Sequence, residues 1–160
     1  MKTITDKINN SGYAIIKNCI DKKLLDKINK SIGIRLREAL RKKGEKSISS
    51  NLTKNFLRLK KKVSQYEIQK MLSKYLLEEN LIDDIFMQDK LQSNLIHLVG
   101  PDLSYMTDFE MAINEKSLKD EEYYYVKKYH QEFWSGMGLE ALQMWIPLNL
   151  KKGMGTIEII

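Results

Sequence analysis

The feature that most constrains this fold is a long, regular stripe of apolar residues between positions 22 and 41. Leucine and isoleucine recur there at three- and four-residue steps, at Leu24, Leu25, Ile28, Ile32, Leu36 and Leu40. Because an α-helix turns once every 3.6 residues, this spacing places the stripe on one face. Asp21 stands just before it, where an N-cap residue belongs. The sequence therefore predicts a long amphipathic helix from Lys22 to about Arg41, with its stripe packed against a sheet.

Helical spacing continues through much of the first hundred residues. A short helix is predicted over residues 4–10 and stopped by Gly12, and a polar loop over 44–51. Residues 65–77 and 81–99 show the helical pattern again, interrupted near 79–80 and ended by Gly100 and Pro101. Residues 1–100 are therefore expected to be mainly helical.

Short apolar or alternating runs predict strands in other parts of the chain. One such run covers residues 13–18, and three follow Pro101, at 103–114, 139–148 and 156–160. The sequence has no internal repeat and only two prolines, so it contains no flexible linker. We therefore expect one α+β domain over residues 1–160, in which helices pack on a sheet and residues 101–160 supply the first core strands.

The charge distribution is uneven. Residues 1–75 hold 20 Lys and Arg against 6 Asp and Glu, a net charge of +14, whereas residues 76–160 have a net charge of −8. The basic residues are mostly lysine, are spread over several elements, and lack the interleaved aromatics of a single-strand-binding platform. This pattern favours solvated helix faces over a nucleic-acid-binding surface. The basic runs at 41–43 and 60–62 are the features that most favour a nucleic-acid-binding surface.

Composition narrows the class of protein further. No segment approaches the roughly 20 consecutive apolar residues that a membrane span requires, and the N-terminus leads into no apolar signal core. We expect no membrane association and a location in the cytoplasm. The sequence does not specify an oligomeric state.

One tripeptide has the chemistry of a metal site. His130, Gln131 and Glu132 place an imidazole and a carboxylate two residues apart, on one face of an extended segment. Two histidines and one carboxylate form the facial triad of non-haem Fe(II) oxygenases, so this spacing supplies two of the three ligands. The alternative is a surface ion pair. The other histidine, His97, lies in an apolar helical stretch. We therefore interpret it as a packed or capped helix residue and not as a third iron ligand.

Several motifs around this tripeptide occur in a recognisable order. Residues 129–136 are followed by Trp145-Ile146-Pro147-Leu148 and by a glycine-containing turn into 156–160. Upstream, residues 11–18 precede the Asp21-capped helix, and 98–103 precede the first core strand. This order resembles the phytanoyl-CoA dioxygenase-like family of Fe(II)- and 2-oxoglutarate-dependent oxygenases, over nearly the whole chain and most specifically over 98–160.

The resemblance implies a fold and a set of site residues. The fold is an incomplete double-stranded β-helix, a jelly-roll or cupin-like core, with N-terminal helices packed on it. The resemblance makes His130 and Glu132 iron ligands, Glu132 replacing the commoner Asp. It places Met111, Gln131 and Trp145 at the 2-oxoglutarate pocket, where core packing remains the alternative for Met111 and Trp145, and a local hydrogen-bonding role for Gln131.

The implied activity is a dioxygenase reaction. Dioxygen and 2-oxoglutarate are consumed at Fe(II), and a small metabolite or an acyl substrate is hydroxylated. The family's distal histidine and its 2-oxoglutarate-binding arginine have no counterpart before Ile160, so the chain is expected to be the N-terminal part of such an enzyme and inactive alone. The alternative is a non-catalytic jelly-roll domain that binds a ligand or a partner.

Overall fold

The computed structural model describes residues 3–105, 109–113 and 142–149. The chain divides into two compact units, Met1–Ala112 and Ile113–Ile160. The described residues of the first unit form α1 (Ile4–Ser11), α2 (Lys22–Lys42), α3 (Leu52–Lys60), α4 (Gln65–Glu78), α5 (Leu81–Phe86) and α6 (Asp89–Val99). In the second unit, the described residues 142–149 contain no helix or strand.

The long amphipathic helix is confirmed as α2. The Asp21 carboxylate accepts a hydrogen bond of 2.9 Å from the Lys23 N–H and so satisfies a free donor of the first turn. The predicted stripe is buried at every position except Leu25, which is half-buried. Its neighbours, however, are the helices α3, α4 and α5. The prediction that the stripe packs against a sheet is therefore wrong.

The core of the first unit lies between these helices. Each contributes apolar side chains that are almost fully buried, including Phe56 and Leu59 from α3, Leu72 and Leu76 from α4, and Leu81 and Ile85 from α5. Burial of a leucine or isoleucine side chain stabilises a fold by about 1.5–3 kcal/mol, so this cluster is the main source of stability. In contrast, α1 buries no residue.

The helix boundaries follow local sequence signals. Gly12 ends α1 in the left-handed region, with φ at 75°, and Gly100 follows the last residue of α6 with φ at 93°. The predicted helix over 81–99 is two helices, because the chain breaks at Met87 and Gln88 between α5 and α6. Helix α3 was not predicted, although Asn51 caps it by accepting from the Lys54 N–H at 3.0 Å.

The predicted α+β class is overturned for the part of the chain that the structure describes. Residues 13–17, 103–105, 109–113 and 142–147 form no strand, and the described architecture is entirely helical. The incomplete jelly-roll core is therefore a wrong prediction, and so is the strand at 13–18. The predicted strand at 156–160 lies outside the described residues. Alternating sequence favours an extended backbone, but a strand exists only where a second strand completes its hydrogen bonds.

Candidate functional site

The segment that holds Met111 is fixed against α4 by two side chains. The Met111 N–H donates to the Ser73 hydroxyl at 2.9 Å, and the Gln69 amide donates to the Met111 carbonyl at 2.8 Å. Gln69 and Ser73 are four residues apart and so share one helix face. These two side chains provide the hydrogen bonds that a neighbouring strand would otherwise supply. As a result, Met111 is only 7% exposed, and its place in a cosubstrate pocket stays a prediction.

Tyr105 anchors the chain just before this segment. Its hydroxyl donates to Asp83 at 2.5 Å, and its ring stacks on Phe86 with centroids 4.0 Å apart. The hydrogen bond to Asp83 raises the pKa of the Tyr105 phenol above its ordinary value. Residues 101–105 are therefore tied to α5 and residues 109–113 to α4.

Trp145 lies in the second unit, in the irregular stretch 142–147, and its side chain is 50% exposed. A half-exposed indole has surface with which to contact a ligand, whereas a fully packed one does not. Its assignment to the 2-oxoglutarate pocket remains a prediction. Leu142, in the same stretch, is also exposed.

The two histidines of the chain differ in whether the structure describes them. His130, with Gln131 and Glu132, lies outside the described residues, so the proposed roles of these three residues stay predictions. His97 is described, and it is exposed in the last turn of α6. Of the two interpretations of His97, the packed side chain is therefore wrong, and the helix-capping one stays a prediction.

Within residues 3–105, 109–113 and 142–149, no three His, Cys, Asp or Glu residues lie close enough together to hold a metal ion. None of the described helices has the length and apolar character that crossing a bilayer demands.

Sequence reasoning missed the residues that position Met111. Gln69 and Ser73 are polar residues on a helix whose other inward positions, such as Ile68, Leu72 and Leu76, are apolar. Ser73 is only 8% exposed, and a buried hydroxyl needs a hydrogen-bonding partner. This polar pair at i and i+4 beside an apolar stripe was the available signal that another segment docks there.

No protein-family model, curated protein or solved structure matches this sequence significantly.

Proposed function

We propose that this chain supplies part of the site of a non-haem Fe(II)- and 2-oxoglutarate-dependent dioxygenase that acts on a small metabolite or an acyl substrate in the cytoplasm. The observation that carries the proposal is the spacing of His130 and Glu132 within the motif order that runs to Trp145 and beyond. The resemblance to the phytanoyl-CoA dioxygenase-like family stands on those motifs. The proposal rests on these motifs and not on the jelly-roll core, which the described residues do not form.

The donor chemistry of the two residues fits Fe(II). A neutral imidazole and a carboxylate are the donor types of the facial triad, which leaves open positions for a bidentate 2-oxo acid and dioxygen. In this proposal His130 binds through a ring nitrogen, and Glu132 binds through a carboxylate oxygen and lowers the net charge of the site. When bound, the iron supplies the oxidation chemistry, while the protein supplies position and electrostatics.

Three further side chains are assigned supporting roles. Gln131, between the two ligands, offers an amide that can hydrogen-bond a carboxylate of 2-oxoglutarate. Trp145 offers an apolar wall with a single N–H donor, and its 50% exposure leaves surface for that contact. Met111 belongs to the first unit, where Gln69 and Ser73 of α4 bind its backbone carbonyl and N–H, and its role toward 2-oxoglutarate stays a prediction from the resemblance.

Metal binding tests the proposal directly. We expect calorimetric titration of the chain with Fe(II) under anaerobic conditions to detect one metal ion per chain, bound more tightly in the presence of 2-oxoglutarate. His130→Ala should weaken Fe(II) binding by at least about tenfold, since even residues that only support a metal ligand are worth roughly 10–100-fold in affinity. Glu132→Ala should have an effect of similar size.

The other histidine provides the matched control. His97 is exposed on α6, so His97→Ala removes an imidazole with little effect on packing. Fe(II) affinity should be unchanged in this variant. If His97→Ala weakens binding as much as His130→Ala does, or if neither changes it, the dioxygenase proposal fails and non-catalytic ligand or partner binding becomes the better interpretation.

A further inference from the structure

Positive charge is concentrated in one stretch of the first unit. Residues 41–67 hold nine Lys and Arg against two acidic residues, Glu45 and Glu67, a net charge of +7 that exceeds the +6 of the whole chain. In the sequence this charge forms two separate runs, 41–43 and 60–62, with a loop and α3 between them. The tertiary structure decides whether the two runs act together.

The fold brings both runs to one surface. The Lys62 ammonium lies 3.3 Å from the Lys43 carbonyl oxygen, and it forms an ion pair of 2.9 Å with Glu45. Arg58 donates to the Ser47 carbonyl at 2.5 Å and so lies against the same loop. We call residues 41–43 and 60–62, together with Lys46 and Arg58, the basic surface. Except for the half-buried Lys60, all of these residues are exposed.

The positive charge at this surface is larger than the negative groups of the same stretch can neutralise. Helix α2 ends at Lys42 and α3 ends at Lys60, and each helix C-terminus carries roughly half a negative charge. Even after these two negative ends are subtracted, residues 41–67 keep an excess of at least roughly +6, because the N-termini of α3 and α4 in the same range carry positive partial charge. The two acidic residues are already engaged: Glu45 binds Lys62, and Glu67 accepts from the Ser64 N–H at 3.0 Å. The hydrogen bond from Lys62 and its charge hold the pKa of the Glu45 carboxyl below its ordinary value, so this carboxylate stays ionised and paired.

An exposed aromatic residue follows the basic surface closely in the chain. Tyr66 is 66% exposed in the first turn of α4, four residues after Lys62. An exposed ring next to lysines is the combination that binds single-stranded nucleic acid, because bases stack on the ring and the cations neutralise phosphates. Phe56 lies between the two basic runs but is buried, so Tyr66, just after the second run, is the exposed ring of this stretch.

We propose that the basic surface and Tyr66 bind single-stranded nucleic acid. The surface consists of two helix C-terminal ends and a loop, so it presents no helix that could lie in the major groove of a duplex. A flexible strand can follow such a surface, and lysine side chains suit contacts with phosphates that carry no sequence information. This inference is independent of the dioxygenase proposal.

Binding of the whole chain to a fluorescently labelled RNA of about 20 nucleotides, measured by anisotropy across a salt series, tests the inference. The logarithm of the affinity should fall linearly with the logarithm of the salt concentration. Lys42→Glu combined with Lys61→Glu should reduce that slope by about 1.4, at about 0.7 for each lost phosphate contact. Tyr66→Ala should weaken binding roughly tenfold with the slope unchanged.

A charge-matched control separates this surface from the overall charge. Lys23→Glu combined with Lys30→Glu makes the same charge change on exposed residues of α2 outside the basic surface, and it should leave affinity within about twofold, because distant charges are screened beyond roughly 8 Å. Circular dichroism of each variant establishes that it folds, and Tyr66→Ala tests the surface without any change of charge.

Several outcomes would overturn the inference. These are the absence of RNA binding at low salt, equal weakening by the control pair, and competition by poly-glutamate as effective per charge as unlabelled RNA. Binding to phosphatidylserine vesicles without binding to RNA would assign the surface to a membrane. A duplex of the same length bound more tightly than the single strand would also contradict it.

Discussion

At the scale of single residues, Met111 shows how side chains can pair the backbone N–H and carbonyl of a segment that has no neighbouring strand. Both of its backbone polar groups are paired with side chains of α4, and its own side chain is buried. An unpaired N–H at such a position would carry the cost of desolvation without a compensating hydrogen bond. Ser73 and Gln69 therefore determine where this segment docks.

The contribution of this contact can be measured. Ser73→Ala leaves the Met111 N–H buried without its acceptor, so we expect the free energy of unfolding in urea to fall by about 1–3 kcal/mol. Ser93→Ala is the matched control, because Ser93 is exposed on α6. Alanine is the better helix former, so this control should be neutral or slightly stabilising. Equal effects of the two changes would mean that the hydroxyl of Ser73 does not hold Met111.

A second buried polar residue has a similar role on α3. Asn55 is fully buried, and its amide both donates to the Ser49 carbonyl at 2.8 Å and accepts from the Ser49 N–H at 3.1 Å. Two opposed hydrogen bonds to one residue fix the loop before α3. Neither α3 nor the pairing of the Asn55 amide with the backbone of the preceding loop was predicted from the sequence.

At the scale of elements, α1 and α4 begin with the same device. Each has a capping box, in which Thr3 pairs with Asp6 and Ser64 pairs with Glu67. The helices differ in what they bury. Five residues of α4 are buried, whereas none of α1 is. The same cap therefore supports the core in one helix and only a peripheral element in the other.

This difference predicts different results for matched substitutions. Ser64→Ala should lower the free energy of global unfolding by about 1 kcal/mol, the usual contribution of an N-cap side chain. Thr3→Ala should leave global unfolding unchanged and speed hydrogen exchange only within α1, since a peripheral helix opens without unfolding the core. A global effect of Thr3→Ala as large as that of Ser64→Ala would contradict this account.

The α4 cap should also depend on pH. The backbone N–H of Ser64 and then its hydroxyl bind the Glu67 carboxylate, which lowers the pKa of Glu67 below its ordinary value of 4.5. A carboxyl whose pKa is lower in the folded state stabilises the fold above its ordinary pKa, and this contribution is lost as the pH falls through the folded value. Glu67→Gln should therefore be less stable than the wild type at neutral pH and equally stable in acid. Urea unfolding of both proteins across that range provides the measurement, and a constant difference would rule out the ionised cap.

At the scale of the whole molecule, the core belongs to one unit. Every buried apolar residue in the described part of the chain lies before position 113, and Met111 is the last of them. The same unit separates charge, because residues 41–67 carry +7, whereas residues 76–112 hold eight acidic residues and one lysine. The first unit thus has its own core and its own strongly charged surface.

We therefore expect residues 1–112 to fold alone. Expressed by themselves, they should give a helical circular dichroism spectrum and a single cooperative urea transition, because the buried apolar residues of the described part of the chain all lie within Met1–Ala112. Ending the chain at residue 104 removes Tyr105 and Met111 and should lower the free energy of unfolding by about 2–5 kcal/mol, the range for loss of a large buried side chain. Non-cooperative unfolding of residues 1–112 would show that this unit depends on the rest of the chain.

The sequence by itself determined the helices of this protein and little of their environment. The three- and four-residue spacing from Leu24 to Leu40, Asp21 before it, and the glycines at 12 and 100 specify α2 and the ends of α1 and α6, because these signals act within a few residues. The interruption predicted near 79–80 is confirmed as the boundary between α4 and α5, whereas helix α3 and the break between α5 and α6 were missed. Of the candidate site, the sequence provided His130, Gln131 and Glu132 as a local pattern, and these remain predictions.

Only the tertiary structure decided what those elements contact. The stripe of α2 is equally compatible with a sheet and with other helices, since burial requires an apolar partner but not a particular architecture. The extended runs at 13–18 and 103–113 had the composition of strands, yet at Met111 the backbone hydrogen bonds come from α4, and this choice depends on residues some forty positions away. The same holds for the basic surface, where Lys43 and Lys62 meet because α2 packs on α3. Local spacing fixes local backbone geometry, whereas contacts between distant residues follow from the packing of the whole unit.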